Sequence, residues 1–156
     1  MTGNSAEKLA RALRGRYGPC GVFDLCDRLG VAVVYQELPP RVNGFYVRFG
    51  SRCVIVISGL VPPERRDYVC AHELGHVLLH SGTNAVELTE QTGLCLPRLE
   101  NEADCFAACL LLEERMKEWS RCCESLTANQ VSQLSGVPQR VVELWFCACA
   151  GDSVAG

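Results

Sequence analysis

Ala71-His72-Glu73-Leu74-Gly75-His76-Val77-Leu78-Leu79-His80 is the stretch on which the reading of this chain turns. In a helix, residues four apart lie one turn apart on one face, so His72 and His76 can aim ring nitrogens at a single cation while Glu73 projects beside it. The chain has three histidines, and all of them fall in this segment. By composition, a His-Glu-x-x-His pattern arises by chance in only about one chain of this size in several hundred. Leu74, Gly75, Val77, Leu78 and Leu79 surround the polar residues with small or apolar ones, which predicts a packed helix rather than a solvated one.

Working outward, Pro62-Pro63-Glu64 is a helix start, with proline tolerated in the first turn and an acid favourable at the positive end of the dipole. The helix is expected to run to about His80 and stop at Ser81-Gly82. Upstream, Val31-Ala32-Val33-Val34-Tyr35 reads as a largely buried strand, closed by Pro39-Pro40. Gly44 to Phe49 and Arg52 to Ser58 form two strand-like runs around Gly50-Ser51, a turn suited to a hairpin. Two short helices, Ala6 to Arg16 and Val22 to Leu29, precede them. Downstream come a polar loop from Thr83 to Pro97, a periodic helical segment from about Leu99 through Leu112 to Met116, and helices over about Ala128 to Ser135 and Gln139 to Cys149. The expected fold class is α+β: a short antiparallel-type sheet of about three strands packed against the motif helix and further helices. One domain spans residues 1–156, with a core at about 31–112 and a C-terminal helical extension over about 113–149.

Composition narrows the function classes. A hydrophobic content of 48% with 21% charged residues is ordinary for a soluble globule. A net charge of -3 and a pI near 5.6 offer no electrostatic case for a nucleic acid or an acidic membrane as partner. The first sixteen residues carry Glu7, Lys8, Arg11 and Arg14 and lack the apolar core of a signal peptide, and no run is long enough to cross a bilayer. A cytoplasmic location is therefore expected. Eleven cysteines are many, but they include no Cys-x-x-Cys pair and mostly sit in apolar runs, as reduced buried thiols acting as small hydrophobes. Cys122, Cys123, Cys147 and Cys149 are spaced too tightly for a good tetrahedral chelate.

A catalytic zinc needs three protein ligands and one open position, so His72 and His76 leave one ligand to find. His80 lies eight residues beyond His72, roughly 12 Å along an unbroken helix and off the shared face, which suits a supporting role better than ligation. Among the acids downstream, Glu102 aligns with Phe106 and Leu110 at four-residue steps and is flanked by Leu99, Ala103 and Ala107. A carboxylate in an apolar stripe needs a partner, and a metal held by the preceding helix would be one. Glu100 and Asp104 fall on another face and read as solvated, while Glu87 and Glu90 sit on a loop that holds ligand geometry poorly.

The motif helix together with Glu100-Asn101-Glu102-Ala103-Asp104-Cys105-Phe106-Ala107-Ala108-Cys109-Leu110-Leu111 resembles the ImmA/IrrE family of zinc metallopeptidases. The Glu-Ala-x-x-Phe-Ala signature, Gly44-Phe45-Tyr46 and Val54-Ile55-Val56-Ile57-Ser58 also match, so the resemblance covers roughly Val31 to Leu112. It implies a small zincin-like domain, with Zn2+ bound by His72, His76 and Glu102. The family usually closes the second helix with methionine or a similar residue and then proline, whereas this chain reads Leu112-Glu113-Glu114. The expected activity is endopeptidase cleavage of a specific protein, and the resemblance implies a transcriptional repressor of a mobile element or stress response. Glu73 would be the general base, passing the proton of the attacking water to the leaving amine. Tyr46 and Tyr68 are candidate oxyanion donors. A strand of the hairpin could align the substrate by strand addition.

The tail from Gln130 to Trp145 has a helix-turn-helix outline, with a turn at Gly136. It supports an alternative: a DNA-binding or partner-binding regulator with a structural or sensing zinc and no proteolysis. Arg140 is nearly the only basic residue of the would-be recognition helix, and Glu143 opposes phosphate, so nucleic acid is the disfavoured partner.

Overall fold

A computed structural model describes the backbone over residues 2–80, 97–122 and 125–154, and the side chains over 5–80, 97–122 and 125–149. The described elements are α1 (Thr2–Tyr17), α2 (Val22–Arg28), β1 (Val31–Gln36), β2 (Gly44–Phe49), β3 (Arg52–Ser58), α3 (Pro63–Leu79), α4 (Pro97–Cys122), α5 (Ala128–Ser135) and α6 (Gln139–Val154). This is the expected α+β class, and the hairpin strands have the expected bounds. The polar loop with Glu87 and Glu90, and the helix stop at Ser81-Gly82, lie outside the described residues.

The sheet order is β1-β3-β2. β2 pairs antiparallel with β3, Tyr46 opposite Ile55, whereas β1 pairs parallel with β3, Val33 opposite Ile55. The sheet is thus mixed, where the sequence suggested an antiparallel type. The chain reverses after β1 and reverses again at the hairpin, so β3 returns to the direction of β1 and is inserted between its two neighbours. Its sequence explains the central place: Ile55 and Ile57 are fully buried and Val56 nearly so, and a strand flanked on both sides buries the most apolar surface. Alternation places Gly44, Tyr46 and Arg48 on one face of β2. That face meets α3, since Tyr46 stacks on His76 and Arg48 Nη2 donates to the Val77 carbonyl at 3.1 Å.

α4 is the long central helix, packed between α3 and α1, with α6 against it. Residues 103–109 are all buried, two full turns with every helical phase covered. The helix does not end near Met116 but continues to Cys122. At the point where the family usually exits, Leu112 is fully buried and Glu113 pairs with Arg11 and Arg14 of α1 at 3.2 and 3.3 Å, so the chain has reason to stay helical.

The C-terminal pair is docked rather than free. Thr127 and Gln130 form a reciprocal capping box at the start of α5, and Gly136 closes it at φ 76°. A Cβ at Gly136 would fall on the Glu64 carbonyl oxygen, so the turn lies directly against the first turn of α3. Val131, Val137, Val141 and Val142 are fully buried. Cys26, Cys53, Cys70, Cys105 and Cys109 are buried free thiols; Cys122, Cys147 and Cys149 are exposed, and Cys123 lies outside the described residues. No described helix is long and apolar enough to cross a membrane.

Candidate metal centre

The site forms where α3 and α4 cross. A Cβ on Gly75 would stand 3.1 Å from Phe106 Cδ1 and 3.2 Å from Ala103 Cα, so the two helices approach closely here because one presents glycine and the other alanine. His72 lies three residues before Gly75 and His76 immediately after it, while Glu100 lies three before Ala103 on α4, and there the polar residues meet. His72 Nε2 and His76 Nε2 lie 3.2 Å apart. Glu100 Oε2 is 3.2 Å from His72 Nε2, and Glu100 Oε1 is 2.9 Å from His76 Nε2. A tetrahedral cation with ligand bonds of about 2.0–2.1 Å has ligand-to-ligand edges of about 3.3 Å, so these three donors fit one ion. They form a candidate metal-holding group among the described residues.

Glu102 is not in that group. Its Oε2 is 2.8 Å from His80 Nε2, and its Oε1 is 3.3 Å from Arg98 Nε. Two residues along a helix is a rotation of about 200°, so Glu100 and Glu102 cannot both face His72 and His76. The apolar-stripe argument presumed one buried face on α4; because α4 is enclosed on several sides, burial does not select which acid meets the motif. Asp104, expected to be solvated, is 1% exposed, and Glu100 beside it faces the histidines.

The second nitrogen of each ring is also held. His72 Nδ1 is 2.8 Å from Asp104 Oδ1, and His76 Nδ1 is 3.0 Å from His80 Nδ1, so His80 lies behind His76. When each ring carries one proton, the acceptors dictate where it sits. Asp104 claims the proton of His72 on Nδ1, and Glu102 claims that of His80 on Nε2. His80 Nδ1 then accepts from His76 Nδ1–H. Both Nε2 atoms are left as lone pairs, converging with the Glu100 carboxylate on one point. Three electron pairs so placed require a positive charge between them. In the metal-free protein a proton can supply it: burial opposes the His72 imidazolium, but its hydrogen bonds to Asp104 and Glu100 and the Glu73 charge outweigh this and lift the pKa to about 10.

Glu73 is 8% exposed, and burial raises its carboxyl above the usual range despite the opposing influence of His72 and His76. β2 runs beside it, with the Cβ position of Gly44 3.6 Å from Glu73 Cγ. Tyr68 Oη donates to Asp104 Oδ1 at 2.6 Å, so its hydroxyl is engaged in holding the carboxylate that orients His72. Tyr46 is buried with its ring stacked on His76, 6.1 Å between centroids. Sequence reasoning missed Glu100, Asp104 and Arg140, whose Nη2 lies 3.0 Å from Asp104 Oδ2. A signal for the first two was present: carboxylates at a four-residue spacing match histidines at the same spacing.

Residues 26–118 match a peptidase family described as the IrrE N-terminal-like domain. The chain is 29% identical over 129 residues to "Uncharacterized immunity region protein 2" of Bacillus phage phi105, covering 83% of this chain and 81% of that protein. It is 24% identical over 128 residues to "Metallopeptidase ImmA" of Bacillus subtilis (strain 168), covering 81% and 75%.

Proposed function

Since the chain belongs to the IrrE N-terminal-like peptidase family, we propose that it is a zinc-dependent endopeptidase whose metal is held by His72, His76 and Glu100. The observation that carries this reading is the convergence of His72 Nε2, His76 Nε2 and the Glu100 carboxylate on one point, with Asp104 and the His80–Glu102 pair behind the two rings. The bound ion would polarise the attacking water and the scissile carbonyl. Glu73 takes the proton of that water and delivers it to the leaving amine. Burial raises its carboxyl above the usual range, which favours uptake of that proton. β2 is the edge of the sheet nearest Glu73 and offers a template on which an extended substrate segment can add as a strand.

The substrate we propose is a protein cut at a specific site, a transcriptional repressor of the helix-turn-helix kind, met in the cytoplasm. The DNA-binding alternative draws no support from the tail: the turn at Gly136 is packed on α3, Val141 and Val142 are buried, and Arg140 is engaged by Asp104. The test is to purify the chain with the repressor encoded beside its gene and compare wild type with Glu73→Gln. The reading expects cleavage by wild type only, with zinc retained by both. Cleavage by Glu73→Gln at the wild-type rate would refute it, and so would stoichiometric zinc in His72→Ala. For the third ligand, Glu100→Ala should weaken zinc binding more than Glu102→Ala; the reverse order moves the ligand to Glu102.

A further inference from the structure

The Asp104 carboxylate is almost wholly buried, yet three donors from two other helices reach it. His72 Nδ1 and Tyr68 Oη, both from α3, meet Oδ1 at 2.8 and 2.6 Å, and Arg140 Nη2, from α6, meets Oδ2 at 3.0 Å. Arg140 lies beyond residues 26–118, so it comes from outside the segment matched to the peptidase family. Its side chain is 68% exposed overall, with Nη2 in contact with the buried carboxylate. The approach is built: Gly136 seats the α5–α6 turn on α3, and Val141, Val142 and Trp145 anchor the first turns of α6 in the core.

We propose that Arg140 is a positioning residue for the metal centre, acting through Asp104 on His72. A carboxylate held at one oxygen can pivot about its last bond. Held at both, its plane is defined, and Oδ1 stays aimed at His72 Nδ1, which keeps His72 Nε2 aimed at the point shared with His76 and Glu100. A charged donor suits this task, because a buried carboxylate oxygen without a donor is costly and would turn to find one. The C-terminal helices thereby become part of the catalytic unit, and the helix-turn-helix outline of the tail serves as a docking device for one arginine. This inference rests on the reading of His72 as a ligand.

The test uses the full chain, with zinc itself as probe and affinity measured by competition with a chromophoric chelator. Groups that orient a ligand directly change metal affinity by about 10–100-fold. Arg140 acts one contact further out, so Arg140→Gln should weaken zinc by about 3–10-fold, and Arg140→Lys, which keeps the charge but not the guanidinium's reach, should recover part of the loss. The decisive measurement is a double-mutant cycle: once Asp104→Asn has been made, adding Arg140→Gln should change zinc affinity by less than twofold. Wild-type affinity in Arg140→Gln, or full additivity with Asp104→Asn, overturns the proposal while leaving the metal site intact. Undiminished zinc in His72→Ala would instead show that the site reading itself had failed.

Discussion

Replacing Gly75 with alanine tests how the two helices create the site. The added methyl would stand 3.1 Å from Phe106 Cδ1 and 3.2 Å from Ala103 Cα, where ordinary contact begins at 3.4 Å. Either the helices part by about 0.3 Å or Phe106 and the α4 backbone shift together. Alanine gains about 1 kcal/mol over glycine as a helix former, while overpacking a close contact costs about 1–3 kcal/mol. One blocking atom belongs to backbone and cannot rotate aside, so the cost should win, and urea unfolding of the zinc-free variant should show a loss of about 1 kcal/mol. The effect on the metal should be larger in proportion. Metal-ligand distances are tolerant to only about 0.2 Å, so moving Glu100 away from His72 and His76 should reduce zinc affinity by about tenfold in chelator competition. A Gly75→Ala protein that is more stable by about 1 kcal/mol and binds zinc normally would refute the reasoning, since it would mean the crossing has room to spare.

Three further outcomes follow from the same geometry. Gly136→Ala places a side chain at φ 76° and on the Glu64 carbonyl, and should cost more than about 2 kcal/mol in urea unfolding; an unchanged midpoint would show that the turn is not seated there. Glu102→Ala removes the carboxylate that meets His80 Nε2, and zinc affinity should fall about tenfold, whereas wild-type affinity would remove Glu102 from the support of His76. Burial, aided by Glu7 and Glu113, pushes the Cys109 thiol from 9.0 up to about 12. Because folding raises this pKa, its contribution to stability is complete below pH 9 and is lost as pH rises towards 12. At pH 9 an alkylating reagent followed by peptide mapping should modify exposed Cys122 and Cys147 and spare Cys109; equal labelling would contradict its burial.

Much of the architecture was legible because it depends on local pattern. The β-branched runs at Val31 and Arg52, the Gly50-Ser51 turn and the Pro63 helix start each specify an element through neighbours in sequence. The parallel pairing of β1 with β3 was not legible, since nothing local to either strand states which edge it will join. The end of α4 was misjudged for a related reason. The periodic pattern carried the helix to about Met116, but part of what holds this stretch is Arg11 and Arg14, about a hundred residues away from Glu113 and Glu114.

The sequence by itself determined the pair of histidines and the glutamate beside them, because the four-residue step of a helix brings His72 and His76 together whatever surrounds it. Only the tertiary structure decided what completes the group. Phase on α4 pointed to Glu102, and that residue is indeed turned inward, but towards His80. The crossing at Gly75 and Ala103 sets the rotation and height of α4 against α3, and that relation puts Glu100 at the two Nε2 atoms and Asp104 behind His72. Arg140 depended on the tertiary structure more strongly still, since only the docking of α6 brings it within reach of Asp104. Periodicity within one helix tells which residues share a face, and packing between helices tells which face meets which.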